Sequence, residues 1–188
     1  MTLAAAALLA SAAWAQPIPP GDLVGANNSL RDPMYGISVT YPAGWQVRGA
    51  QRWGKNNKEN TIMFQAIWPL EARPSLYYQP TSNFDKPAPN EVEAHFRRTA
   101  GTKAQQRVAS GLKDYQNLEN TFVFTTINGR PAFRYTASFT VQGRPHFEYF
   151  TRVLGDELMA MFFVQGPAEE IDAVRREIDQ MAATIRLP

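Results

Sequence analysis

From residue 36 onwards apolar and polar positions alternate. Ile37, Val39 and Tyr41 fall on one side of an extended segment, Ser38 and Thr40 on the other, the period of a half-buried strand. Pro42-Ala43-Gly44 then reads as a three-residue hairpin loop: proline presets the first turn position and glycine accepts the left-handed one. That loop sets Tyr41 opposite Trp45 and Val39 opposite Val47, so Trp45 is expected in the core. The stretch "NTIMFQAIW", residues 60–68, is apolar on both sides, as in a central strand covered above and below. Residues 69–89 contain Pro69, Pro74, Pro80, Pro87 and Pro89 and read as a long irregular connection. A helix is expected from Asn90, with Glu93 placed for a capping box and Val92, Phe96 and Ala100 on one face. The pattern from Gly101 to Asn117 is mixed, with more helix around Gln105 to Leu112.

The second half is more regular. "NTFVFTTI" meets "RPAFRYTASFT" through Asn128-Gly129, a strong two-residue hairpin signal that sets Phe124 opposite Phe133 and Phe122 opposite Tyr135. Val141-Gln142-Gly143 reads as a three-residue loop, placing Ala137 opposite Phe147 and Tyr135 opposite Tyr149. A return at Gly155-Asp156 puts Val153 beside Leu158 and Tyr149 beside Phe162. These registers gather Phe122, Phe124, Phe133, Tyr135, Phe139, Phe147, Tyr149 and Phe162 on one face of a four-stranded antiparallel meander. After Gly166-Pro167, Ile171, Val174, Ile178, Met181 and Ile185 form the stripe of a terminal helix. The order of elements predicts an α+β domain: an αβα sandwich with a mostly antiparallel sheet of about seven strands and a C-terminal helix.

The first fifteen residues, "MTLAAAALLASAAWA", change the picture of where the chain works. They are apolar, uncharged and end in a small-x-small pattern, which predicts a secretory signal peptide cut before Gln16. They are too short to span a bilayer, which takes about 20 residues. Residues 16–34 read as a flexible leader and 35–188 as one domain, periplasmic or secreted. The 188 residues include no cysteine, which excludes disulfides, thiolate metal sites and cysteine nucleophiles. A net charge of +2 without a basic tract gives no footprint for nucleic acid, and no stable membrane anchor is expected.

The "GISVTYPAGWQV" hairpin, the run "INGRPAFRYTASF", the run "HFEYFTRVLGDELMAMFFVQGP" and the end "MAATIRLP" together resemble the PsbP-like family, whose named member is an extrinsic subunit of the photosynthetic oxygen-evolving complex. The resemblance spans most of residues 35–188 except the middle third. It implies an αβα sandwich acting as a non-enzymatic binding or assembly module, and carries no functional residues over to this chain.

Candidate chemistry is sparse. "RGAQRWGKNNK" sets Arg48, Arg52, Lys55 and Lys58 around Trp53, a loop suited to an anionic partner or lipid headgroups, or a merely solvated connection. Tyr77, Tyr78 and Phe84 offer rings for a contact surface or for covering a sheet edge. His146 and Glu148 alternate on one strand, on the expected registers with Arg134, Thr136, Ser138, Thr140 and Arg152 opposite the aromatic face; imidazole and carboxylate suit proton transfer or metal binding. His95 is expected at the rim of its helix. Neither GxSxG nor the full phosphate-loop pattern GxxxxGK followed by Ser or Thr occurs, since Asn56 follows Gly54-Lys55. The leading expectation is an exported non-enzymatic module that contacts a protein partner or small ligand through Arg48, Arg52, Trp53, Tyr77 and Tyr78, with no cofactor. The alternatives are a metal-dependent or hydrolytic enzyme on the His146/Glu148 face and a structural envelope factor.

Overall fold

A computed structural model describes residues 16–19, 23–53, 59–65, 70–81 and 87–188. The expected signal peptide, Lys55, Lys58, Trp68 and Phe84 lie outside the described residues, as does the side chain of Trp53. Eleven strands and two helices follow in the order β1 (Gln16–Ile18), β2 (Ser29–Asp32), β3 (Ile37–Thr40), β4 (Gln46–Trp53), β5 (Glu59–Gln65), β6 (Arg73–Pro80), α1 (Val92–Ala109), β7 (Lys113–Asn117), β8 (Val123–Ile127), β9 (Arg130–Val141), β10 (Arg144–Leu154), β11 (Leu158–Pro167) and α2 (Ile171–Ala183). Nine strands form one antiparallel sheet in the order β1-β4-β5-β6-β11-β10-β9-β7, with β8 also paired to β9; β2 and β3 form a separate two-stranded sheet.

Both faces of the large sheet are covered. On one, α2 brings Val174, Ile178 and Met181 against Phe147, Tyr149, Val153, Ala160, Phe162 and Val164, and the β2–β3 sheet adds Leu30, Ile37 and Val39. The segment after α2 pairs with β3 through Ser38 and Arg186, closing this layer. On the other face, α1 lays Phe96 and Ala100 on Phe133, Tyr135, Phe150, Leu154 and Met159. The Phe96 and Phe133 rings stack with centroids 5.0 Å apart.

Four expectations need correction. Pro42-Ala43-Gly44 does turn, with Gly44 at φ 83 and the Trp45 amide donating to the Pro42 carbonyl at 3.1 Å, but β3 and β4 are not partners. β3 pairs with β2, and β4 with β1 and β5, so the turn carries the chain from one sheet into the other. Residues 16–34 are not only a leader: they contain β1 and β2, and bury Leu23, Leu30 and Asp32. Residues 73–80 form β6, in the middle of the sheet. Its prolines are tolerated because β5 pairs only with Ser75 to Tyr78; Pro74 and Pro80 fall outside that stretch, where a missing amide costs no ladder bond on that side.

The fourth correction concerns sidedness. The β8–β9 register is as expected, with Phe124 opposite Phe133. The next turn is a two-residue one: Gln142 itself takes φ 51 before Gly143 at φ 82, and Val141 pairs with Arg144. Phe147 therefore faces Ser138 and Tyr149 faces Thr136, one residue from the expected register. A slip of one reverses every side chain. The aromatic set is divided: Phe122, Phe124, Phe133, Tyr135 and Phe139 lie on the α1 side, and Phe147, Tyr149 and Phe162 on the α2 side. The β10–β11 pairing differs by two residues, with Tyr149 opposite Val164, which leaves the faces unchanged.

Trp45 is 3% exposed, stands 6.1 Å from Phe64 and donates its indole N–H to Glu177 Oε2 on α2 at 2.8 Å. Trp45→Ala should destabilise the protein by about 3–5 kcal/mol in urea denaturation, whereas Trp45→Phe, losing chiefly the hydrogen bond, should cost about 1–2 kcal/mol.

Candidate functional site

The core-facing stripe of α1 begins as Val92, Phe96 and Ala100 and continues, at the same three- and four-residue spacing, as Lys103 and Arg107. The helix thus lays an apolar half and a cationic half on one sheet. Beneath the cationic half, alternation along β10 aims Glu148, Phe150 and Arg152 at the same side.

Glu148 is fully buried. Its Oε1 lies 2.6 Å from Arg107 Nη2, and its Oε2 accepts the Tyr115 hydroxyl at 2.8 Å. Burial, reinforced by the adjacent Glu148 charge, pushes the Tyr115 phenol well above its ordinary range, so the hydroxyl stays a donor. One carboxylate, one guanidinium and one phenol thus close on each other.

Lys103 and Arg152 stand beside this group without a carboxylate of their own among the described residues. Lys103 Nζ sits 4.4 Å from the Phe150 ring centroid and 5.0 Å from that of Phe163. The Arg152 guanidinium lies 5.7 Å from the Phe96 centroid and reaches Met161 Sδ at 3.5 Å. Ring faces and a thioether are weak counterparts for a full charge. Desolvation, with a smaller contribution from Arg107, lowers the Lys103 amine to about 8, and burial lowers Arg152 as well. Both residues line an open cleft of about 710 Å³ shared with Pro87, Glu91, His95, Arg98, Thr99, Thr102 and Gln106.

Neither a scan against family models nor a search of curated proteins finds a match. Among solved structures, the solution structure of cyanobacterial PsbP from Synechocystis sp. PCC 6803 superposes with a TM-score of 0.56 at 14% identity, over 88% of this chain and 95% of that one. The fold is PsbP-like. Two further structures are more distant: a Pseudomonas aeruginosa protein of unknown function described as a putative regulator (TM-score 0.49, 13% identity, 87% of this chain and 98% of that one) and Mycobacterium tuberculosis LpqN, described as involved in cell envelope biogenesis (TM-score 0.44, 12% identity, 93% and 91%). At such identities the likeness speaks for the fold alone.

Within this PsbP-like fold the sequence-predicted residues are scattered. Tyr78 is fully buried and donates its hydroxyl to Asp32 Oδ2 at 2.7 Å, so it has no surface to offer a partner. Tyr77 points to the opposite face, where it packs beside the α1 cluster and donates to Glu59 Oε2 at 2.8 Å. Arg52 is engaged by Asn60 Oδ1 at 3.2 Å and Asp32 Oδ1 at 3.5 Å, while Arg48 is exposed on β4. His146 and Glu148 share a side, but it is the side of α1; Arg134 faces the other way, 3.3 Å from Asp179 on α2. His146 Nδ1 lies 3.0 Å from the Arg144 carbonyl, and Glu148 is sealed beneath Arg107. Among the described residues no three His, Asp or Glu side chains converge as for a metal ion. Sequence reading passed over Lys103, Arg107, Tyr115 and, as a site member, Arg152. The available signal was the helical stripe itself, which continues past Ala100 with two cations on the face meant for the sheet.

Glu148→Gln leaves Arg107 facing a neutral group and should cost about 2–3 kcal/mol of stability. Lys103→Met should act in the other direction. A lysine whose folded pKa is lowered destabilises the fold while protonated in both states, and that penalty fades as pH rises from about 8 towards the unfolded value of 10.5. At pH 7 relief of the desolvation outweighs the forfeited attraction of the ammonium to the ring faces, so Lys103→Met should gain about 1 kcal/mol. The advantage should shrink between pH 8 and 10.5, as urea titrations of both proteins across that range will show.

Proposed function

We propose that this protein is an exported, non-enzymatic binding module that holds an anionic group of a small ligand or partner in the cleft between α1 and β10. The observation that carries this reading is the pair Lys103 and Arg152, cations set in a desolvated wall without carboxylate partners among the described residues. A fold gains nothing from burying charge uncompensated, and such perturbed groups concentrate where a ligand completes them. Arg48 and Arg52 suit an anion less well, because Arg52 already has acceptors in Asp32 and Asn60.

Export rests on the pattern of residues 1–15, and two features are in keeping with it. Gln16, the first residue after the expected cut, already pairs with Arg52 in β1, so cleavage there leaves the sheet intact. No helix among the described residues is long and apolar enough to cross a membrane. Intact-mass measurement of the protein recovered from the periplasm should give a chain starting at Gln16; a chain still carrying residues 1–15 contradicts export by cleavage.

The binding reading is tested on the mature chain by following backbone amides while inorganic phosphate, acetate and a hexaglutamate peptide are added in turn. At least one should produce saturable shifts confined to the second half of α1 and to β10, weakening as salt is raised. Saturation at residues 48–53 instead returns the contact to the β4 end, and no saturation with any probe removes the reading.

A further inference from the structure

The cleft's charge and donor types go further than an anion in general. Among the described residues Arg98, Lys103 and Arg152 line it, against one carboxylate, Glu91, a surplus of two positive charges besides the imidazole of His95. Arg107, just behind, is held by Glu148 and adds none. We propose that the cleft between α1 and β10 is a site for the phosphoryl group of a phosphomonoester. This rests on the binding-module reading and names its ligand class.

Three features favour phosphate over carboxylate. First, a phosphomonoester carries about −1.5 to −2 at neutral pH, which matches the surplus; a monocarboxylate would leave one cation uncompensated. Second, the donors differ in kind. Arg152 and Arg98 offer planar forks, Lys103 a point charge, and Thr102 an exposed hydroxyl, a mixture suited to the three oxygens of a tetrahedral anion. Third, the Phe150 and Phe163 rings lie against Lys103 and the Phe96 ring against Arg152, so these two charges act at lower effective dielectric than on an open surface. The volume, about 710 Å³ and open to solvent, exceeds what a bare phosphate fills and leaves room for the organic group esterified to it.

The experiment is calorimetric titration of the mature chain with inorganic phosphate, phenyl phosphate and acetate at fixed ionic strength, with phosphatidic acid and phosphatidylcholine vesicles as a separate arm. Phenyl phosphate should bind at least tenfold more tightly than acetate. Lys103→Gln and Arg152→Gln should each weaken it tenfold or more. Arg175→Gln, on the opposite helix, should leave it unchanged. Should Arg152→Gln fail to fold, Lys103→Met and Arg98→Gln carry the same test, since the first is expected to be more stable than the parent. Binding of phosphatidic acid vesicles with the same loss in the Lys103 variant supports the phosphomonoester on a lipid; binding of soluble phosphates alone supports a free small molecule. Acetate binding as tightly as phenyl phosphate overturns the ligand class and leaves the binding module standing. Absence of saturation by every anion overturns both.

Discussion

Glu148 carries one negative charge into the wall beneath α1, where its Oε1 is ion-paired and its Oε2 hydrogen-bonded. Arg107 holds one at 2.6 Å and Tyr115 the other at 2.8 Å. This closed group ties the second half of the helix to β10 and to β7, which contributes Tyr115. It also sets what is left over. A carboxylate can neutralise one cation, so Lys103 and Arg152 remain with ring faces and a sulfur atom for company. The charge imbalance of the cleft follows from this single engagement.

The engagement depends in turn on strand register. Glu148 faces α1 because the β9–β10 turn has two residues, with Gln142 as well as Gly143 in the left-handed region. A three-residue loop would turn Glu148 to α2 and bring Phe147 and Tyr149 beneath α1. What makes either arrangement stable locally is that β9, β10 and β11 bury residues on both sides, so burial alone does not choose between them. That is why aromatic alternation revealed the strands, the meander and the terminal helix, yet misassigned a face. The Asn128-Gly129 turn was legible because both residue types favour positive φ; a glutamine there gives no comparable signal.

Other features were hidden for related reasons. The prolines of β6 resemble loop punctuation until the shortness of its pairing with β5 is known, and β1 and β2 are too brief for periodicity to show. Trp45 was readable as core from its neighbours, although its real partners are Phe64 and the α2 residue Glu177 rather than β3. At the candidate site the obstacle was different. Two cations on the inward stripe of α1 look like a defect in an amphipathic pattern, and only the opposing strand shows that one has a carboxylate and the other has none among the described residues.

The two faces of the sheet thus have different work. The α2 side is closed by hydrogen bonds from Tyr149 and Trp45 to acids on the helix and by the pairing of Ser38 with Arg186. The α1 side is stacked rings at one end and half-buried cations at the other. The proposed binding role rests on charge that this wall retains at a cost to stability. The most direct measurement is the titration of the Lys103 side chain by NMR, with the signal assigned through a Lys103→Arg variant. An ammonium set in a desolvated wall and awaiting an anion should titrate with a midpoint near 8 in the free protein and move upward when phenyl phosphate is present. A midpoint near the ordinary 10.5, unmoved by the anion, would show a solvated lysine and contradict a binding role for the cleft.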